Sequence, residues 1–487
     1  MGLVMNQVKT GMGRGTLYLM LASGVFLATG YVIHFGLGRY LGPEIYGIFG
    51  VVLALMSTVH LLLTTGFPQG ASKHIAEDNA GAGSIIREST KIQVLLSLLV
   101  FALYFGLAGV IADLLNDPTL TPYIRISSLV IPAYALYSVY NNGYLNGLRR
   151  FGQQAKTTIL SSLVKVGAVF ALIFLGLSVT GAILGYLVAA LVGFLLALKY
   201  LGPVEKSSAN FKWSKLIKFG IPATLVSVVL FLLMSIDLFV VKALLAADVD
   251  TGYYTSAATL AKIPYFIFGG LALTLLPSIS RSTSINDARL TRSYIHQSLR
   301  YMLMLLIPVV LVMSATSDEL ISLVYSSRYI EAAKPFSLLI FGLGFLTVFL
   351  VLANIIMGSG KPHIAMGIAL PLVPLDIVLN LFLIPRYGLP GAALATTITA
   401  ALGMVIAAVY VLVRFRTLVG IRSLLKICLA SLVVYAVSLQ ISLSALFLPF
   451  IYLSLAALYS GILLLTKEID REDLQTFKRI IPIEGFM

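Results

Sequence analysis

The sequence predicts an all-α membrane protein of about 14 transmembrane helices: two six-helix lobes related by a parallel repeat, plus two C-terminal helices. Three observations predict this class. The first is composition: of 487 residues, 59% are hydrophobic and only 11% charged, with a mean hydropathy of +0.97. A soluble chain carries about 25% charged residues, so lipid must serve as the solvent. The second is run length. Lipid leaves only helices or closed barrels, because every backbone group has to be satisfied internally. The apolar runs are mostly of helix-spanning length, roughly 20 residues, and lack the alternation of ~10-residue barrel strands. The third is an internal repeat, taken up below.

In order, the first-half spans are read at 16–37, 45–66, 91–112, 122–145, 156–176 and 180–201. The second half gives 217–242, 252–278, 297–316, 333–357, 363–384 and 390–413, and two further spans follow at 423–443 and 446–466. The basic start "MGLVMNQVKTGMGRG" precedes an apolar run with no small-residue cleavage site, so that run is read as a retained first span. The corresponding domains are 1–205, 206–418, and 419–487 with a cytoplasmic tail.

Charge placement sets the orientation. With the N-terminus cytoplasmic, 26 of the 34 basic residues fall on the inner side. Arg39, Arg125, Lys242, Arg328, Lys334 and Arg386 are left outside, and Lys165 and Lys262 lie within spans. This asymmetry supports an even span count and cytoplasmic N- and C-termini in a multi-pass cell-membrane protein. The net charge of +14 then reflects orientation, and no nucleic-acid partner is expected. A single cysteine, Cys428, excludes an intramolecular disulfide. The loops are too short to hold a catalytic domain. No phosphate-binding loop, HxxxH, paired-Cys or Ser/His/Asp pattern stands out, so neither an enzyme nor a cofactor is expected.

The repeat shows at two places. "YLNGLRRF" from Tyr144 resembles "IIMGSGKP" from Ile355, aligning Gly147 with Gly358 and Arg150 with Lys361. "TGAILGYLVAALVG" from Thr180 resembles "PGAALATTITAALG" from Pro390. The offsets are 211 and 210 residues, which maps spans 5 and 6 onto 11 and 12 in the same orientation. Parallel repeats of this kind build two-lobed transporters.

"GRYLGPEIYGIFGVVLALMSTVHLLLTTGFPQGASKHIAE" resembles the opening of the polysaccharide and lipid-linked oligosaccharide flippases, within the multidrug/oligosaccharidyl-lipid/polysaccharide exporter superfamily. "NGLRRFG", "SIDLFVVKALLAADVDTGYYTSA" and "LNLFLIPRYGLPGAALATTI" resemble later family signatures in the expected order, over residues 14 to about 415. The resemblance implies two six-helix lobes around a central cavity, through which a lipid-linked sugar head crosses while its polyprenyl tail stays in membrane lipid. Two departures stand out. Leu238, not a basic residue, follows Asp237, and the first span holds no mid-membrane arginine. The second makes the peptidoglycan-precursor branch a poorer fit. The runner-up is an ion-coupled exporter of cationic drugs; a membrane glycosyltransferase or ligase fits the short loops poorly.

Polar residues inside spans supply the candidate site. Asp237 and Lys262 lie 12 and 13 residues from the middle of the outer loop near Val249, at similar depth, and could pair. Thr255, Thr259 and Lys262 share one helical face, as do Thr158, Ser161, Ser162 and Lys165. Asp376 and Asn380 lie one turn apart, and the repeat places Lys165 beside the counterpart of Asp376. Lys165 and Lys262 are expected to attract a substrate phosphate as point charges, with Asn142 and Thr259 beside the path. Asp237, Asp376 and Asn380 would pair those charges or carry a coupling proton or sodium ion. Against this, intrahelical carbonyls and close helix packing also account for Ser and Thr at such spacing. His60 is read as a helix-packing donor, and Tyr134, Ser138, Asn141 and Asn142 form a polar run descending to Arg149 and Arg150. Pro371 and Pro374 suggest a hinge before Asp376. The chain is expected to act as a monomer.

Overall fold

The structure is a computed structural model that describes residues 2–78, 81–204, 211, 213–285, 287–441 and 445–469. Side chains are described from Gly15 onward, except at 219, 222, 270–274, 276–277 and 446. The expected cytoplasmic tail beyond residue 469, with Arg471, Lys478 and Arg479, and also Lys206 and Lys212, lie outside the described residues. Every regular element among those residues is helical, and ten stretches are long and apolar enough to cross a membrane.

Several expected spans are interrupted. Helix α1 (Gly2–Thr64) contains two of them and turns at Gly42 (φ 77°), a conformation that glycine adopts without strain. Pro43 then opens the next helical stretch, where its missing N–H costs nothing. Next come α2 (Gly66–Glu77), α3 (Ala82–Gly106) and α4 (Ala108–Leu114). The expected span 122–145 is α5 (Thr121–Ser128), α6 (Val130–Ser138) and a π-helical stretch, Val139–Leu145. Helices α7 (Phe151–Leu172) and α8 (Ser178–Leu201) form a hairpin that turns at Gly176 and Ser178. The expected span 217–242 is broken: α9 (Ser214–Leu232) and α10 (Ile236–Leu245) are separated by a turn at 233–235.

Helix α11 (Asp248–Ser284) is followed by α12 (Ala288–Ala315), α13 (Ser317–Val324) and α14 (Ala333–Gly358). Then come α15 (Pro362–Tyr387), α16 (Leu389–Phe415), α17 (Ile421–Ser438) and α18 (Leu448–Leu465). Helix α15 runs unbroken through Pro371 and Pro374, so neither proline interrupts it before Asp376.

Two compact units are present, Met1–Thr255 and Ser256–Met487. The expected lobe boundary is 205/206; helices α9 and α10, beyond that point, pack within the first unit, against α1 and α2. There, a Cβ at Gly66 would lie 1.9 Å from the Gly220 carbonyl oxygen, so only glycine permits that approach. The α7–α8 hairpin packs on α1 and α6. In the second unit α14 is the hub, flanked by α12, α15 and α16, with α17 on α12 and α18 on α17. Of the apolar window ending in α14, 72% is buried, against 28% in α12, α15, α17 and α18. A helix apolar on all sides has no solvent-facing stripe to expose and takes the centre.

The α7–α8 and α15–α16 hairpins close in the same way. A Cβ on Gly181 would lie 3.0 Å from the Leu172 carbonyl oxygen, and one on Gly391 would lie 2.3 Å from that of Leu383. Gly391→Ala should therefore pry the second hairpin apart and cost about 1–3 kcal/mol. Thermal unfolding in detergent should show a clear drop in melting temperature. Gly367→Ala in α15, with no atom within 4 Å of the new Cβ, should leave it unchanged or slightly raised.

Candidate functional site

The first unit holds a polar interior. The π-helical turn in Val139–Leu145 widens the helix locally, a feature that often accompanies functional sites. It carries Asn141 and Asn142. Asn141 donates to Thr158 Oγ1 at 2.9 Å, and Gln154 Nε2 donates to Asn142 Oδ1 at 3.4 Å. Asn146 donates to Gln154 Oε1 at 3.0 Å, and Ser72 donates to Asn146 Oδ1 at 3.0 Å. Ser161 donates to Tyr137 Oη at 3.3 Å. The network thus reaches α7 one turn before Lys165.

Lys165 is 8% exposed, and its Nζ lies 4.6 Å from the Phe26 ring centroid and 5.4 Å from that of Tyr186. Aromatic faces attract a cation most strongly where water is excluded. Among the described residues no carboxylate pairs with Lys165. His60 stacks on Tyr134 at 4.6 Å, and Tyr134 in turn tilts against Tyr137 at 5.7 Å. Tyr31 Oη, His60 Nε2 and Ser162 Oγ are buried with no hydrogen-bond partner among the described residues. A polar atom buried in this way costs about 1–3 kcal/mol.

Asp237 owes its position to the break in the seventh span. It sits in the first turn of α10, where the helix dipole favours an anion. Its Oδ1 accepts from the Leu238 amide at 2.8 Å and its Oδ2 from Tyr254 Oη at 2.6 Å. The expected pairing of Asp237 with Lys262 would link residues of different compact units; within its own unit the carboxylate is held by these two donors.

Lys242, which the charge pattern counts with the outer loops, is fully buried. Its Nζ pairs with Asp117 Oδ2 at 2.7 Å and with Asp248 Oδ1, and donates to the Ala246 carbonyl at 3.2 Å. Asn116 Nδ2 adds a bond to the Ala243 carbonyl at 2.6 Å. Beside this clasp the backbones meet: a Cβ on Gly252 would fall 1.9 Å from the Pro43 carbonyl oxygen, and one on Gly47 would fall 2.2 Å from that of Asp248. Burial pushes the Asp117 carboxyl up, but hydrogen bonds from Lys242 and Thr119 and the Lys242 charge outweigh it, leaving the pKa below its ordinary value.

In the second unit, Asp376 (1% exposed) accepts from Thr399 Oγ1 at 3.2 Å. Asn380, fully buried, donates to the Asp376 backbone carbonyl at 2.8 Å, and its Oδ1 has no partner among the described residues. Thr259 is buried on α11 and Lys262 is half-buried one turn further on. The structure therefore brings Asn142 into the network that approaches Lys165, and Asp376 beside Asn380. Sequence reasoning missed Phe26, Tyr186, Tyr254 and the Lys242 clasp. The spacing of Tyr134, Tyr137, Tyr140 and Tyr144 along one helical face was the available signal for the aromatic wall. Arg150, read as an orienting charge, donates to the Tyr200 and Leu201 carbonyls at 2.9 and 2.8 Å and caps α8.

Membrane-length helices that bury such polar and charged side chains define a multi-pass membrane protein with a polar interior. Residues 12–283, more than half the chain, match the family described as "Polysaccharide biosynthesis protein", and the chain belongs to that family, whose members are multi-pass transporters and not enzymes. Residues 222–382 also match the family described as "MatE". The chain is 27% identical to Stage V sporulation protein B of Bacillus subtilis over 419 residues, covering 78% of this chain and 80% of that protein. It is 22% identical to the probable low-salt glycan biosynthesis flippase Agl15 of Haloferax volcanii, covering 80% and 86%. Its fold is similar to that of the lipid II flippase MurJ in an inward closed conformation, with a TM-score of 0.74 at 18% identity, covering 92% and 98%.

Two outcomes are expected of the clasp. Lys242→Met should destabilise the protein by about 3 kcal/mol, because it strands the buried Asp117 carboxylate and leaves the half-buried Asp248 without its cation; chemical or thermal unfolding in detergent reads this. The folded pKa of Asp117 lies below its unfolded value. Its stabilisation is therefore complete above the unfolded value of about 3.9 and is lost as pH falls through the folded one. The acid-side fall in melting temperature should be shallower in Asp117→Asn than in the parent protein.

Proposed function

We propose that the protein is an alternating-access flippase that moves a polyprenyl-linked oligosaccharide or polysaccharide precursor from the cytoplasmic to the outer leaflet. The observation that carries the reading is Lys165: a buried cation held by aromatic faces, without a carboxylate partner among the described residues. Such a group keeps its attraction for an anion, and phosphate is the anionic part of a lipid-linked sugar. The unpartnered Tyr31, His60 and Ser162 atoms in the same unit are suited to sugar hydroxyls. The names of the Haloferax volcanii and MurJ relatives, a glycan biosynthesis flippase and a lipid II flippase, point the same way.

In this reading the chain has fourteen spans, both termini are cytoplasmic, and the lobes arose by duplication at 205/206. The matching closures at Gly181 and Gly391, 210 residues apart, support the duplication. Lys262, Asn142 and Thr259 would complete substrate contact, and Asp376, Asn380 and Asp237 would carry or balance a coupling ion in a protein that works as a monomer. A second reading, an ion-coupled exporter of cationic compounds, is favoured by the buried Asp237 and Asp376 together with the match to the MatE family.

Reconstituted protein should translocate labelled lipid-linked sugars. Lys165→Ala should slow this about tenfold or more, the loss of one charge-assisted contact, and Lys262→Ala should slow it too. Unchanged rates in both variants, at normal expression, would refute these roles. Drug efflux without movement of sugar lipids would favour the exporter. Asp376→Asn should abolish dependence on an imposed proton or sodium gradient while substrate binding persists; a gradient response equal to that of the parent would remove Asp376 from coupling.

A further inference from the structure

An apolar groove of about 560 Å³ lies wholly within the second unit, lined by α12, α14, α16, α17 and the 416–420 loop. On α12 the face that lines it runs Leu299, Leu303, Leu306 and Val310, at steps of four, three and four. Continued toward the helix start, the same face carries His296 and Arg292. On α16 the lining face runs Val405, Val409 and Leu412, and Arg416 follows at the helix end, where the backbone turns left-handed (φ 53°). Both apolar stripes thus run into basic residues at the same end. The structure ties those ends together: Arg292 Nε donates to the Phe415 carbonyl at 3.0 Å, and His296 Nδ1 lies 3.0 Å from the Leu418 carbonyl oxygen. Leu418 and Val419 floor the groove from the loop that carries Arg416.

Val405, Val409 and Leu412 are 49%, 54% and 47% exposed, so the groove's rim faces whatever surrounds the protein. The charge beside it is left over. Glu468 accepts from Arg300 at 2.8 Å and pairs with Lys426 at 3.6 Å, whereas Arg416 and Arg422 have no ion-pair partner among the described residues. None of Lys165, Lys262, Asn142 or Thr259 lines the groove, which separates it from the residues assigned to the transported molecule.

We propose that this groove is a binding site for an anionic phospholipid, with an acyl chain along Leu299–Val310 and the headgroup phosphate on Arg292 and Arg416. The complementarity is twofold. An apolar trough accepts a hydrocarbon chain, and a basic end accepts an anionic headgroup, as basic pockets between membrane helices do. The site is independent of the flippase reading, because it needs only that the chain lie in a membrane.

The test uses the full-length protein in nanodiscs and phosphatidylglycerol carrying a photoreactive acyl chain, with labelled peptides mapped by mass spectrometry. Labelling should fall on 299–310 and 404–412. Unlabelled phosphatidylglycerol should compete and phosphatidylcholine should not. Ala408→Trp, which plugs the groove, should abolish labelling there. Arg416→Gln should weaken competition by about fivefold, as expected for one arginine near the headgroup. Arg416 is not among the residues that line the groove, so this variant separates headgroup recognition from filling of the trough. Equal competition by phosphatidylcholine would overturn the proposal. So would labelling of these peptides by a photoreactive polyprenyl phosphate that phosphatidylglycerol fails to displace, since the groove would then serve the substrate's tail.

Discussion

A charge placed inside a lipid-embedded helical bundle has to be held, because its desolvation costs several kcal/mol and no bulk water repays it. The first unit meets this constraint in three ways. Lys242 is closed between Asp117 and Asp248, so its charge is spent inside the protein. Asp237 is steadied by a helix N-terminus and the Tyr254 hydroxyl. Lys165 lies against the faces of Phe26 and Tyr186, which stabilise a cation without neutralising it, and has no carboxylate partner among the described residues. The first is a structural clasp and the third is a group that can still receive an anion. Burial alone would not distinguish them, since Lys242 and Lys165 are both buried.

Helix interruptions supply the geometry for these solutions. Irregular backbone is tolerated in membranes where protein or a cavity satisfies it. The break at 233–235 creates the helix start that Asp237 occupies, and the π-helical stretch at Val139–Leu145 turns Asn141 and Asn142 toward α7. The chain thus places its non-ideal segments beside its polar ones. The uninterrupted α14 makes the opposite choice and serves as the apolar hub of the second unit.

The membrane class and the family were legible in the sequence, because hydropathy and motif order are properties of the chain itself. The pair Gly181 and Gly391 was legible too, since a glycine required by close backbone approach leaves a mark in the sequence. The breaks were not: "LLMSID" stays apolar across 233–235, and hydropathy does not register a turn that the protein interior satisfies. The burial of Lys242 was not legible: Asp248 is six residues away, but Asp117, which completes the clasp, is 125 residues away. Phe26 and Tyr186 were missed because any aromatic residue in a span passes as lipid-facing or core. Contacts between distant segments decide those roles, and sequence spacing carries no trace of them.

The central claim is that Lys165 is an uncompensated cation that binds the phosphate of a lipid-linked sugar. Equilibrium binding of a polyprenyl-linked sugar diphosphate to the full-length protein in neutral-lipid nanodiscs, measured across ionic strength, addresses it most directly. The account predicts affinity that falls with added salt, and a Lys165→Met protein that binds more weakly with a shallower salt dependence. Equal affinity and an equal salt slope in the two proteins would contradict it.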